Sequence, residues 1–282
     1  MNQQQSRADL HTHTTASDGL NSPADNVRMA KENGLAAIAI TDHDTVAGID
    51  EALEAGKKLG MVVVPGIEIS TRVDDTDIHV LGYFINHHDP VLKQRLSELR
   101  NAREQRNEAI LTNLQKLGIP LGRGDVLKEL GRELQEGESL GRPHIAAVLV
   151  AKGYAADIRD AFDRYLAEGA AAYANVPRIA PQQAFEWIRE AGGAPVIAHP
   201  GIYGQDALIQ SLLESGKPAG LEVFHSDHSP EDEQRYGEWA ARYGLIATGG
   251  SDFHGSRNGT VFHGELGSRT VTLQVVKLLK EV

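Results

Sequence analysis

The sequence predicts an α/β fold, a barrel or an α/β sheet interrupted by a mostly helical insert, on three observations. Short apolar runs of the kind that form buried parallel strands alternate with helix-length segments at both ends of the chain. Residues 90–178 between them lose that alternation and read as helix after helix. The chain has 282 residues, 41% of them hydrophobic, enough for a scaffold domain with a smaller one inserted. The expected parts are residues 1–89 and 179–282 for the scaffold and 90–178 for the insert.

Each element has a local reason. Residues 8–10 form a short strand running into His11. Ser22 before Pro23 is a helix start, and the helix 23–33 ends near Gly34. Residues 35–41, LAAIAIT, are nearly continuous in apolar character, as a strand covered on both faces must be. A helix over 47–59 closes at Gly60, and MVVVP at 61–65 opens a third strand that continues to Glu68 and Ile69. HVLGYFI at 79–85 is a fourth strand. The longest helix of the insert spans 91–117. The alternation resumes with helices over 180–190, 206–215, 230–243 and 272–279 and strands over 195–198, 220–224 and 245–248. Some seven strands result.

Composition narrows the chemistry. Aromatic residues are 5% of the chain, too few for the stacking platforms of single-stranded nucleic acid binding modules. With no cysteine there is no thiol nucleophile, iron–sulfur cluster or Cys-ligated zinc. The formal charge of −11 makes a poor general binder of phosphate backbone, but carboxylates that hold cations lose that charge locally. Residues 91–178 carry 14 Lys/Arg against 12 Asp/Glu, and the rest carries 14 against 27. An acidic scaffold holding cations and a more basic insert meeting an anion fit that division; two merely solvated surfaces fit it equally. Residues 1–10 contain no apolar signal segment, and no run approaches 18 apolar residues. We expect a cytoplasmic protein with no membrane association and no obligate protein partner.

The chemistry lies where His, Asp and Glu fall. His11 and His13, two apart in extended chain, point to the same side. Asp18 follows in a turn; Asp42, His43 and Asp44 follow the second strand; Glu68 follows the third; His79 opens the fourth. His199 follows PVIA, Glu222 and His225 bracket the end of GLEVF, and Asp252 and His254 follow LIATGG. Most strands thus deliver an ionisable side chain at the end where α/β folds build active sites. Any one of these could be a satisfied core residue or a cap. Together, carboxylates gathered on one rim repel and are costly to desolvate, and metal ions relieve both costs. Imidazole and carboxylate without thiolate suit Zn2+, Mn2+ or Fe2+ rather than an all-oxygen Mg2+ or Ca2+ site. Ser251 has no nucleophile-elbow sequence around it.

The segments DLHTHTTASDG (9–19), TDHD (41–44), PGIEI (65–69), RPH (142–144), HP (199–200) and GSDFHG (250–255) resemble the motifs of the polymerase and histidinol phosphatase (PHP) superfamily over the whole chain. The resemblance implies a distorted (β/α)7 barrel, a trinuclear metal centre and hydrolysis of phosphate esters. It implies His11, His13, Glu68 and Asp252 for the first ion, Asp18, His43 and His254 for the second, and Glu68, His79 and His144 for the third. Three divalent ions per chain are expected, Mn2+ favoured. Asp18, where some members have histidine, points to the subgroup acting on nucleotides. That subgroup resembles the nucleoside 3′,5′-bisphosphate phosphatases and enzymes trimming short RNA or DNA from the 5′ end. The expected partner is a small anionic nucleotide, with short oligonucleotides as the alternative. Amidohydrolase chemistry fits the motifs less well, and an inactive metal-stabilised binding or proofreading-type module fits the complete ligand set less well.

Two arginines break a pattern. In the long helix Leu92, Leu96, Leu99, Ile110, Leu114 and Leu117 keep three- and four-residue spacing, and the stripe continued through the gap lands on Arg103 and Arg106. Either scaffold carboxylates meet them, or with Arg142 they grip the second phosphate of the substrate. In the expected reaction a water shared by two metals attacks phosphorus in line, with no protein nucleophile. His199 and His225 are candidates to protonate the leaving oxygen or to contact phosphate, His199 alternatively to contact metal, and Asp42 and Asp44 to orient a histidine or water.

Overall fold

The computed structural model describes residues 6–257 and 259–282. They divide into two compact units, Met1–Leu96 with Arg178–Val282, and Ser97–Pro177. The larger unit is built on an eight-stranded sheet in the order β10-β1-β2-β3-β4-β5-β6-β7. The strands are β1 (Arg7–Asp9), β2 (Ala37–Ile40), β3 (Val62–Val73), β4 (Thr76–Tyr83), β5 (Ala194–Ile197), β6 (Gly220–His225), β7 (Ile246–Gly250) and the two-residue β10 (Val271–Thr272). A separate small hairpin pairs β8 (Ser256–Arg257) with β9 (Thr260–Val261). The sheet curls until its ends meet, Leu10 N–H donating to the Gly249 carbonyl at 3.3 Å, so the fold is a nearly closed barrel of the expected distorted type.

The distortion has a specific source. β1, β2 and β3 run parallel, as do β5, β6 and β7, but β4 is antiparallel to both of its neighbours. β3 therefore runs past the end expected for it and turns back through Asp74, which has a left-handed φ of 49°. A strand that runs backwards presents its beginning, not its end, at the rim where the others finish. This is why His79, early in β4, can join residues that follow the other strands.

Packing follows the strand period. Ala37 and Ala39 of β2 face one core with Ala8, Leu10, Val64, Leu81 and Tyr83. Ile38 and Ile40 face another with Val27, Ala30 and Ala52 from helices α1 (Pro23–Glu32) and α2 (Ile49–Leu59). Small residues on the inner face leave room for Tyr83, whose hydroxyl donates to the Leu10 carbonyl at 2.9 Å. The punctuation read from sequence is present: Ser22 accepts from Asp25 N–H with Pro23 in the first turn, Gly34 has φ 71°, and Gly60 caps α2 in the left-handed region. The scaffold also carries α7 (Pro181–Glu190), α8 (Pro200–Tyr203), α9 (Asp206–Gly216), α10 (Pro230–Tyr243) and α11 (Leu273–Lys280).

Helix α3 (Pro90–Lys116) begins in the larger unit and continues into the smaller. The smaller unit adds α4 (Arg123–Leu130), α5 (Arg142–Ala151), α6 (Ile158–Ala161) and a π-helical turn over Phe162–Leu166. Its core joins Ile110, Leu111 and Leu114 of α3 to Val126, Ile145, Ala146, Val148, Leu149 and Leu166. The expected apolar stripe is corrected at two places. Leu117 lies beyond the end of α3 and is 48% exposed, its place in the core taken by Leu111, Ile119 and Leu121. Leu99 is only half-buried. A 3.6-residue helix drifts away from a fixed spacing over 27 residues, which moves the buried edge onto Leu111. Among the described residues no helix is long and apolar enough to cross a membrane.

Candidate metal centre

The expected ligands of the larger unit come together. His11 and His13 follow β1, His43 follows β2, Glu68 lies within β3, His79 within β4, His199 follows β5, and Asp252 and His254 follow β7. Isolated bridges His43↔Glu68 and Thr12↔Phe253 hold these chain ends beside each other. Glu68 is the hub. Its Oε2 lies 3.4 Å from His11 Nε2, 3.2 Å from His13 Nε2 and 3.0 Å from His43 Nδ1. Its Oε1 lies 2.8 Å from His79 Nδ1 and 3.0 Å from His199 Nε2. Asp252 Oδ1 lies 3.3 Å from His11 Nε2 and 3.1 Å from His13 Nε2. Asp18 takes the other side, at 3.4 Å from His254, 3.6 Å from His13 and 3.8 Å from His43.

Buried polar atoms elsewhere in proteins find hydrogen-bond partners. Here His11 Nε2, His13 Nε2, His43 Nδ1, Glu68 Oε2 and Asp252 Oδ1 are buried and have none. They converge on one another at 3.0–3.4 Å without hydrogen-bond geometry, which is the arrangement of a donor set around cations. The donor chemistry fits divalent ions, and the groups His11–His13–Glu68, His13–Asp18–His43–His254 and His43–Glu68–His79 could each hold one.

The electrostatics agree. Burial alone would raise Glu68 and Asp252, yet the imidazoles around them, His43 and His79 at Glu68 and His263 and His11 at Asp252, hold both well below the usual carboxylate range. Asp18 is held low in the same way, against its burial, by His43 and His254. Burial opposes charge on His11 and His13, but Asp252 and Glu68 prevail, with Glu222 also acting on His11. They raise His11 well above its ordinary value and His13 to about 10. The cluster keeps its carboxylates ionised and demands positive charge, supplied by protons on the imidazoles or by metal in their place.

The other candidate side chains have these partners. Burial pushes His199 down to about 4, and its Nε2 lies on Glu68 Oε1 at 3.0 Å, beside His79. His225 Nδ1 accepts the Asp227 backbone N–H, which leaves the proton on Nε2, facing Asp252 Oδ2 at 3.4 Å. That places His225 behind Asp252. The oxygens of Asp42 accept from Thr14 N–H, Thr14 Oγ1 and Ser17 Oγ at 2.6–2.8 Å and so brace the loop between His13 and Asp18. Asp44 accepts from the Ser70 N–H. Ser251 donates to Asp9, whose side chain also takes the Gly267 N–H, so this serine joins β1 to the loop after β7.

In the smaller unit, His144 stands in the first turn of α5, where its Nδ1 accepts the Gly141 N–H at 2.8 Å. Arg106 is buried and its Nη2 contacts Asn107 Oδ1; Arg103 is half-buried. Arg142 reaches the Leu166 carbonyl and lies 5.8 Å over the Phe162 ring.

Sequence reasoning gave no role to Asp9, Tyr203 or His263 and placed Glu222 only among the ionisable residues at strand ends. Asp9 is buried and burial raises it to about 6. Glu222 sits on His11 Nδ1, and Tyr203 accepts the His79 N–H. His263 bridges Asp227 at 2.5 Å and Asp252 at 3.5 Å. A glutamate inside the apolar run GLEVF was a readable signal for Glu222. His263 belongs to no motif and no regular element, so no spacing argument reaches it.

Comparison with known proteins places this geometry. Residues 9–176 match the PHP domain family. The chain is 36% identical over 253 residues to the 5′-3′ exoribonuclease Rnm of Escherichia coli, covering 87% of this chain and 84% of that protein. It is 33% identical over 255 residues to the 3′,5′-nucleoside bisphosphate phosphatase of Chromobacterium violaceum, covering 89% and 88%. A solved structure from Bifidobacterium adolescentis, to which a metal-dependent phosphoesterase function has been ascribed, superposes with a TM-score of 0.86 at 31% identity over 96% of this chain and 94% of that one.

Proposed function

The chain belongs to the PHP domain family and is a metal-dependent hydrolase of phosphate esters, and from that premise we propose that it removes the 3′-phosphate of nucleoside 3′,5′-bisphosphates, such as adenosine 3′,5′-bisphosphate, to leave the nucleoside 5′-monophosphate. The observation that carries the site reading is the set of buried imidazole and carboxylate atoms aimed at one another without hydrogen bonds. The similarity to the Chromobacterium enzyme supports the substrate class.

On this reading His11, His13, Glu68 and Asp252 hold one ion and Asp18, His43 and His254 a second. We give the third to Glu68, His79 and His144, with His199 as a further contact of that ion, its Nε2 and His79 Nδ1 both facing Glu68 Oε1. Divalent ions held there supply Lewis-acid charge to phosphoryl oxygens and lower the pKa of a water at neutral pH. Mn2+ remains the favoured ion. The chain's own residues do the positioning. Glu68 sets the spacing of five imidazoles, Asp42 with Ser17 and Thr14 fixes the loop carrying Asp18, and His225 Nε2 faces Asp252 Oδ2 at 3.4 Å. Arg103, Arg106 and Arg142 are proposed to hold the phosphate that is not cleaved, where planar guanidinium groups make paired bonds.

The competing substrate is a short 5′-phosphorylated oligonucleotide, which the likeness to the Escherichia exoribonuclease favours. Release of AMP from adenosine 3′,5′-bisphosphate, compared with mononucleotide release from 5′-phosphorylated RNA trimers, separates the two. A higher kcat/KM on the bisphosphate is expected; a higher value on the trimer would replace the primary reading. Arg103→Ala should lose more on the bisphosphate than on a nucleoside monophosphate, and equal losses would remove Arg103 from the distal phosphate.

A further inference from the structure

A buried glutamate outside the proposed ligand set joins two of its members. Glu222 lies in β6 between Leu221 and Val223, and all three are fully buried. An ionised carboxylate in such a place is tolerated only when its oxygens are hydrogen-bonded or paired. Both oxygens of Glu222 face His11 Nδ1, at 3.0 and 3.2 Å, and Oε2 also accepts the backbone N–H of His199 at 2.8 Å. Donation from Nδ1 makes Nε2 the lone-pair nitrogen of His11. Nε2 is also the atom that lacks a hydrogen-bond partner and points at Glu68 and Asp252. The His199 backbone sits at φ 24° and ψ 59°, a conformation few residues adopt and one that needs an anchor. β1, which leads to His11, and β5, which leads to His199, are separated in the sheet by three strands. Glu222 reaches both.

We propose that Glu222 is a positioning residue of the metal centre, fixing His11 as the Nδ1–H tautomer and pinning the His199 backbone, so that one carboxylate aligns ligands of two different ions. The inference rests on the reading of His11 and His199 as metal ligands. It competes with an arrangement in which Glu222 is itself a ligand, since His11, Glu222 and His225 could also hold an ion. That arrangement uses His11 Nδ1 as the ligand atom and requires the opposite tautomer, so the two differ at one observable nitrogen.

The test is made on the full-length protein loaded with Zn2+, which is diamagnetic. Nitrogen-15 spectra of the imidazoles, with the His11 signals assigned by their loss in His11→Gln, should show Nδ1 protonated and Nε2 bound to metal. Calorimetric titration with Zn2+ should show Glu222→Gln binding roughly 10- to 100-fold more weakly than wild type, the usual effect of removing the group behind a ligating histidine, with unchanged far-ultraviolet circular dichroism. Glu222→Asp, which keeps the charge, should recover part of that affinity. Metal on His11 Nδ1, or equal Zn2+ affinity in wild type and Glu222→Gln, would overturn the inference and leave the phosphoesterase reading intact. A wild-type chain that bound no divalent ion would overturn the metal reading and this inference together. If Glu222→Gln does not fold, the wild-type tautomer decides the matter.

Discussion

Glu68 touches five histidines from three strand ends and the neighbouring strand β4, and both of its oxygens lie within 3.4 Å of imidazole nitrogens. Glu68→Gln removes the charge while keeping the shape. Turnover should fall by more than roughly 100-fold, and metal content should drop by at least one ion per chain, read by elemental analysis after desalting. The electrostatics also set a pH signature for metal-free protein. His13, raised from 6.5 to about 10, stabilises the folded state fully below pH 6.5, and that contribution is lost as pH rises through about 10. Glu68 and Asp252 have lowered values, so their contribution is present above the ordinary carboxylate range and lost in acid. Calorimetric scans of chelated protein should therefore show Tm falling from pH 6.5 toward 10. Metal displaces the imidazole protons and should flatten that limb. A flat alkaline limb without metal would contradict the charge balance described above.

The elements matter through where they stop. β7 ends at Gly250, and a Cβ built there would lie 2.3 Å from the His11 backbone nitrogen and 2.4 Å from His11 Cβ. The close approach of this strand end to His11 thus requires glycine. Gly250→Ala should cost about 1–3 kcal/mol of stability, as overpacking does, and weaken metal binding as well. Ser229→Ala provides the contrast. Ser229 and Asp232 form a reciprocal cap at the start of α10, and its loss should cost about 1 kcal/mol in denaturant unfolding with metal affinity unchanged. If the two variants behaved alike, the metal-specific part of the argument would fail. Most elements were legible from the chain because capping and periodicity are local: α10 spans the residues that Pro230 and Gly244 mark out. β4 was legible as a strand but not as an antiparallel one, since direction within a sheet depends on partners far away in sequence.

At the scale of the whole molecule, part of the net charge of −11 sits in the buried carboxylates Glu68 and Asp252, which their surroundings keep ionised. Ions that bind only the folded chain stabilise it by mass action, by about 2.7 kcal/mol when free metal is 100 times its Kd. Removing metal with EDTA should therefore abolish activity and lower Tm together, and Mn2+ added back should restore both. Loss of activity at an unchanged Tm would mean that the ions contribute little to the fold. The candidate site is formed entirely within the larger unit as far as His11, His13, Asp18, His43, Glu68, His79, His199, Asp252 and His254 are concerned.

The amino-acid sequence on its own determined the strand and helix alternation, the helical interruption and the ionisable residues gathered near strand ends, because periodicity, capping and the cost of crowded charge are written in short segments. Only the tertiary structure decided which atoms face which: that Glu222 sits behind His11, that His199 shares Glu68 with His79, that Asp42 braces a loop, and that His225 stands behind Asp252. Those pairings join residues up to 211 positions apart. A tautomer or a ligand's partner is fixed by the one hydrogen bond that closure of the barrel makes available, and no local pattern encodes it.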